Sequence, residues 1–288
     1  MVFALGSLLL LLQAFWPLPL GRAGARPEGF PLSSTPSITT YLYLPLVLRA
    51  YRPPPPPPVY PNDPYFGLQW GLHAVRAPEA WAPSKGEGIL IAVLDTGTDY
   101  LHPDLSAKVR TDIDYDFVNN DNDARDDHGH GTHVSGIAAA ATDNGLGIAG
   151  LGWAAQVLPV KVLGSGGGGS ALALSLGIYY AAASGAKVIN MSLGGNGACP
   201  ADLQAAVDDA YSRGVLLVAA AGNRPDIQRP PFPANCAHVL GVAATDSYDD
   251  LASFSVTGTH VSVAAPGVGI YSTIPPNQYN PWNGTSMA

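Results

Sequence analysis

The sequence predicts an α/β protein: a mostly parallel central sheet flanked by helices on both faces, preceded by a signal peptide and a proline-rich segment. Three observations carry this expectation. Apolar runs of strand length recur along the chain, helical stretches alternate with them, and the polar residues best suited to chemistry fall just after the runs. Strands buried on both faces read as unbroken apolar runs, and strands alternating with helices give a parallel sheet. Such sheets bind their ligands at the carboxyl ends of the strands.

The first run, Gly88 to Leu94, ends in Asp95-Thr96-Gly97. Val157 to Leu163, Lys187 to Met191, Gly214 to Ala221 and Val239 to Ala243 read as further strands. Helices are expected over Ala171 to Ala183 and over Ala201 to Arg213, the second stopped by Gly214. Asp127-His128-Gly129-His130-Gly131-Thr132-His133-Val134-Ser135-Gly136 leads into another helix that includes the alanine run Ala138 to Ala141. A glycine on each side of His130 lets the backbone turn tightly and brings the helix start close to its neighbours.

Three segments are expected. Residues 1–25 read as a signal peptide: Val2 to Leu12 is apolar but short for a bilayer span, and Ala23-Gly24-Ala25 fits a small-x-small cleavage site, although no Lys or Arg precedes Arg22. Residues 26–61 form a spacer or short pro-segment ending in the polyproline II rod Pro53 to Pro58. Within it, Tyr41 to Leu48 is either a strand or a docking element. Residues 62–288 form the folded domain. Its 47% hydrophobic and 12% charged content belongs to a globular chain. The net charge of −8 argues against nucleic acid as a partner. The expected product is a secreted monomer with no stable membrane insertion after signal removal. Two cysteines are too few for a disulfide scaffold and lack Cys-x-x-Cys metal spacing.

Singly, Asp95, His130 and Ser286 have bland readings: a strand-end carboxylate, a structural histidine, a Gly-Thr-Ser turn. Together they give acid, base and nucleophile in one of the chain orders that serine hydrolases use. Asp95 would orient His130, His130 would take the proton of Ser286, and Ser286 would attack a carbonyl carbon. Ser286 is expected at a helix N-terminus, where amides help to hold an oxyanion. Asn223, after Ala219-Ala220-Ala221-Gly222, is either a Gly-Asn turn or an amide donor to that oxyanion.

Four motifs stand in order: Val93-Leu94-Asp95-Thr96-Gly97, His130-Gly131-Thr132-His133-Val134, Ala220-Ala221-Gly222-Asn223 and Gly284-Thr285-Ser286-Met287-Ala288. From about Pro61 to Ala288 the chain resembles the subtilisin-like serine proteases, their thermitase-like branch above all. The resemblance implies an endopeptidase of broad specificity acting on polypeptides. It also implies a specificity-pocket wall of Ser192, Leu193, Gly194 and Gly195 with Ala221 and Gly222, and a substrate-pairing edge including Gly167, Gly168 and Gly169. Bare glycines there expose backbone groups to an extended peptide, whereas composition alone suggests a flexible linker.

Calcium is the cofactor implied. Asp116, Asn119, Asp121 and Asp123 offer hard oxygen donors in one loop, or else form a solvated acidic loop; Asn119 stands where the family has Asp, and Arg125 fills another candidate position. A tighter site is implied at Asp63, Asp104 and Asn144, with carbonyls near Ala141, Leu146 and Ile148. Export permits a Cys199–Cys236 bridge behind the pocket wall; two buried free thiols are the alternative. The chain departs from the family in two ways. A short proline-rich segment stands where many members have a folded propeptide. The family also continues past the serine with a Pro-His-Val-Ala-Gly-like helix, so weak activity is expected of this chain. A catalytically silent calcium-dependent binding protein on the same scaffold is the competing reading. An esterase would want Gly-x-Ser-x-Gly, with serine before acid and base.

Overall fold

The computed structural model describes residues 55–226 and 231–288. The expected signal peptide, most of the spacer and the Tyr41–Leu48 segment lie outside the described residues. The described chain opens with a 3-10 turn (Phe66–Leu68) and two short helices, α1 (Trp70–Ala74) and α2 (Ala77–Ala80).

Seven strands follow as one all-parallel sheet: β1 (Leu90–Asp95), β2 (Tyr115–Asp116), β3 (Gln156–Lys161), β4 (Val188–Met191), β5 (Leu216–Ala220), β6 (Val239–Thr245) and β7 (Val261–Pro266). Their spatial order is β2-β3-β1-β4-β5-β6-β7, which puts β1 near the middle. Three longer helices connect them: α3 (His130–Ala139), α4 (Ala171–Ala183) and α5 (Ala201–Ser212). An antiparallel hairpin, β8 (Ile270–Ile274) and β9 (Gln278–Trp282), stands apart from the sheet.

The strands alternate between two cores, as pleating requires. Ala92 and Leu94 of β1, with Leu158 and Val160 of β3, join a core built from α4 and α5. Val93 and Val157 face the other way, onto Val134 and Ala139 of α3 and Ile270 of β8. The helices present apolar stripes at the expected spacing: Leu174, Ile178, Ala181 and Ala182 on α4, and Leu203, Ala206, Val207 and Ala210 on α5. Each fully buried leucine in these stripes contributes roughly 1.5–3 kcal/mol of transfer free energy. The Ser170 hydroxyl caps α4 by accepting from the Ala173 amide at 3.1 Å.

The expected strands and helices are present with shifted ends. Gly88 and Ile89 precede β1, Leu163 leaves the sheet to pair with Gly169, and α3 stops at Ala139 because Ala140 turns extended. Ser286 lies in a turn closed by the Met287 amide on the Gly284 carbonyl (3.1 Å).

Candidate active site

Asp95 is the last residue of β1, fully buried at the carboxyl edge of the sheet. His130 opens α3, whose first turn is pressed against that strand end. The close approach is set by glycine: a Cβ on Gly131 would collide with the Gly97 carbonyl and lie 3.1 Å from Asp95 Cβ. Gly129 caps the helix at φ 105°, a conformation that L side chains avoid. His130 Nδ1 consequently lies 2.7 Å from Asp95 Oδ1, and the same carboxylate oxygen accepts the Thr96 amide at 2.7 Å. Burial pulls the His130 pKa down, but the hydrogen bond it gives to Asp95, the Asp95 charge and that of Asp126 outweigh this and leave it above the ordinary imidazole value.

Ser286 shares a depression with His130, Asn223 and Trp282. Its Oγ donates to the Ser192 carbonyl at 3.0 Å, and among the described residues no hydrogen bond joins it to His130. Asn223 follows β5; its Oδ1 accepts from the Thr285 amide (2.8 Å) and hydroxyl (2.9 Å). Fixing the oxygen in this way leaves the Nδ2 donor turned from Thr285 and available to the depression that it lines with Ser286.

Gly167, Gly168, Gly169, Ser192, Leu193 and Gly194 line one cleft with His128 and His130. Leu193, Gly194, Gly222, Asn223 and Ser286 line the adjoining one. Ala221 departs from expectation. It is fully buried, and its amide extends the β5–β6 ladder to the Val242 carbonyl, while its neighbours Ala220 and Gly222, the latter as expected, line the cavity. The glycine edge folds back on itself, Gly164 donating to the Gly168 carbonyl at 2.9 Å, with Leu163 bridged to Gly169. Cys199 and Cys236 form a disulfide (Cα–Cα 5.2 Å) beside the paired backbones of Gly195 and Phe232.

The implied tight cation site gathers as one knot. Asp63 accepts from the Asp143 and Asn144 amides (2.9 and 3.1 Å), and Asp104 from the Ile148 amide (3.0 Å) and Asn144 Nδ2 (2.9 Å). The Ala141 amide donates to the Asp104 carbonyl at 2.7 Å, and that of Leu146 to Asn144 Oδ1 at 2.8 Å. Both carboxylates are buried, and neither has an ion-pair partner among the described residues. Burial, with the Asp104 charge adding to it, holds the Asp63 carboxyl above its usual range. Two buried, uncompensated carboxylates with an amide and nearby carbonyls suit a hard divalent cation.

The acidic loop is different. Asp116 spends its oxygens on Val118, Asn119 and the Asn119 amide group, Asp121 accepts the Asp123 amide, and Asp123 accepts the Tyr100 hydroxyl. Among the described residues, no three His, Cys, Asp or Glu side chains converge as a metal cluster, either here or at Asp63 and Asp104. Donation to Asp123, with burial adding to it, pushes the Tyr100 hydroxyl pKa up to about 12.

Three neighbours of the site escape sequence reasoning. Asp126 accepts from Thr96 Oγ1 (2.8 Å) and from the Gly129 and Thr132 amides (2.8 and 2.9 Å), so it ties β1 to the start of α3. Lys161 is a buried lysine at the end of β3. Trp282 stacks on His133 (4.5 Å between centroids, 2° between planes) and less closely on His130 (6.3 Å, 28°). Only the aspartate one residue outside the histidine motif carried a usable signal, as a side-chain oxygen just before a helix.

The subtilase family profile (Peptidase S8) matches residues 86–288. The chain is 48% identical to thermitase of Thermoactinomyces vulgaris over 79% of this chain and 81% of that protein. It is also 48% identical to a thermophilic serine proteinase of a Bacillus species, over 79% of this chain but only 56% of that longer protein. A solved protease from Pseudoalteromonas arctica superposes with a TM-score of 0.73 at 36% identity, covering 79% of this chain and 83% of that one. With the profile spanning well over half of its length, and with an acid and a base already in contact at the sheet edge, the chain belongs to the subtilase family of serine endopeptidases.

Proposed function

We propose that this protein hydrolyses internal peptide bonds of extracellular polypeptides, with Asp95, His130 and Ser286 as the catalytic residues and Asn223 as oxyanion donor. The 2.7 Å contact between His130 Nδ1 and Asp95 Oδ1 is the observation that carries the reading. His130 Nδ1–H donates to the carboxylate, so Nε2 keeps the lone pair that a base needs. Turning Ser286 Oγ from the Ser192 carbonyl toward Nε2 transfers its proton as Oγ attacks the scissile carbonyl. The carbonyl oxygen becomes an oxyanion, to which Asn223 Nδ2 donates. His130 then protonates the leaving amine, giving an acyl-serine. Water, deprotonated by His130, attacks the acyl carbon, and His130 returns that proton to Ser286 Oγ as it leaves, which frees the acid and restores the serine.

The cleft lined by Gly167, Gly168, Gly169, Ser192, Leu193 and Gly194 suits an extended acyl-side peptide paired to bare backbone. The second cleft, with Gly222 as its small wall, suits a broad range of side chains next to the cut bond. Asp63, Asp104 and Asn144, with the carbonyls of Ala141, Leu146 and Ile148, would hold calcium in a structural role remote from the reacting atoms.

Covalent labelling with a peptidyl organophosphonate tests this. Wild type is expected to take up one probe at Ser286, with Ser286→Ala and His130→Ala unlabelled. A folded wild type that is never labelled supports the silent calcium-dependent binding protein instead. The Ser286–Ser192 hydrogen bond is the observation on that side.

A further inference from the structure

Lys161 is the largest fully buried side chain among the described residues, and only 1% of it is exposed. It sits at the end of β3, in register with Asp95 on β1. Its ammonium reaches three acceptors: the Thr96 carbonyl at 2.7 Å, Asp127 Oδ1 at 2.6 Å and the Leu163 carbonyl at 2.9 Å. An ammonium has three protons and no acceptor, so every proton is used.

The acceptors belong to the three segments that make the site. Thr96 follows Asp95. Asp127 lies three residues before His130. Leu163 begins the stretch that runs to the glycine edge at Gly167 to Gly169, and is itself bridged to Gly169. A buried ammonium costs several kcal/mol of desolvation, and an apolar side chain of similar volume would often be as stable or more so. What it supplies here is geometry. We infer that Lys161 is a positioning residue that locks Asp95, His130 and the substrate edge into one register. The inference rests on the proposed hydrolytic site.

A second tie acts alongside it. Asp126, next to Asp127, joins Thr96 Oγ1 to the first turn of α3. Without Lys161 the loop keeps this link to β1 but loses its link to β3, and the Leu163 carbonyl is released altogether. The two consequences separate kinetically: play at His130 lowers kcat, and play at the glycine edge raises KM. Arginine is no substitute, because its planar fork cannot match three acceptors around one tetrahedral nitrogen.

The test uses the full chain with Lys161→Met, Lys161→Arg and Asp127→Ala. Lys161→Met is expected to keep the wild-type circular dichroism while kcat/KM falls about 100-fold, the scale of a 1 Å misplacement, through both kcat and KM. Lys161→Arg should not restore it. Asp127, half exposed, should tolerate substitution without unfolding, and Asp127→Ala should lower kcat with KM little changed. NMR titration of His130 reads the same positioning without turnover, and its midpoint should move in both variants. Folded variants with wild-type kinetics and an unmoved His130 midpoint would overturn the inference; if Lys161→Met fails to fold, Asp127→Ala decides alone. A wild type that titrates normally yet takes no phosphonate would sink the hydrolytic reading, while the His130 midpoints still judge Lys161.

Discussion

At the scale of single residues, the two histidines in the first turn of α3 are driven in opposite directions. His130 has a pKa above the ordinary value, chiefly because the Asp95 hydrogen bond overcomes burial. A base must be neutral, so activity should be lost as pH falls through this raised value, with the acid limb of kcat/KM above about 6.5. Asp95→Asn should lower that limb and cost roughly 10⁴ in kcat; a limb below 6 in wild type would contradict the assignment. His133, buried without a charge partner, is pulled down to about 4. The unfolded chain then binds a proton that the native state refuses between about pH 6.5 and 4. Stability should therefore fall across that window, by about 3 kcal/mol at most for this one group. His130 works the other way: its stabilising share is full below the unfolded pKa and disappears as pH rises through the folded one. Urea denaturation at pH 7 and pH 4.5, with His133→Asn as control, separates the two. Asn223→Ala should lower kcat by about 10²–10³ with KM nearly unchanged, since its amide meets an oxyanion and not the ground-state carbonyl. Equal losses in binding and turnover would count against that role.

Among elements, the junction of β1 with α3 does most to build the site, and it depends on the absence of a side chain. Gly131→Ala should push the helix start from the Gly97 carbonyl, costing about 1–3 kcal/mol of stability and about 100-fold in kcat as His130 drifts from Asp95. An alanine variant with normal turnover would mean that the approach is looser than described. This junction was legible in the sequence, because glycines flanking a histidine at a helix start after a strand-end acid have few other uses. The central strands were legible for a similar reason: burial on both faces leaves Ile91 to Leu94 or Val157 to Val160 with no polar interruption. β7 was not, since Ser262 to Ala264 are exposed and Ser262 breaks its short apolar run. The β8–β9 hairpin was also hidden. Its Ser272 and Thr273 look like surface residues, yet they donate to the carbonyls of His133 and Thr132 at 2.7 and 2.9 Å and so brace α3. Lys161 was illegible because a lysine in a strand gives no sign that three distant acceptors surround it.

Across the whole molecule, two devices tie segments that are remote in sequence, and both lie outside the reacting atoms. The disulfide spans 37 residues and fastens the pocket-wall segment to the loop of Phe232. The second device is the knot of Asp63 and Asp104, which joins the start of the described domain to the turn after α3, and through the Tyr279 hydroxyl (2.9 Å to Asp104) to the β8–β9 hairpin. This knot holds two buried carboxylates, and burial, with the Asp104 charge a lesser cause, raises the Asp63 pKa. A raised carboxyl pKa alone makes the fold less stable as pH climbs through it. A bound divalent cation reverses that sign, because it binds the ionised pair. Calcium at about 1,000 times its Kd should add about 4 kcal/mol, or roughly 8–16 °C in Tm for a domain of this size. The gain should be full at pH 8 and shrink as the carboxylates protonate. Calorimetry with calcium and with a chelator checks this, and Asp63→Asn should abolish most of the difference while sparing turnover at low temperature. A calcium-dependent Tm that survives Asp63→Asn would move the ion elsewhere, with the acidic loop at Asp116 and Asp121 the next place to look.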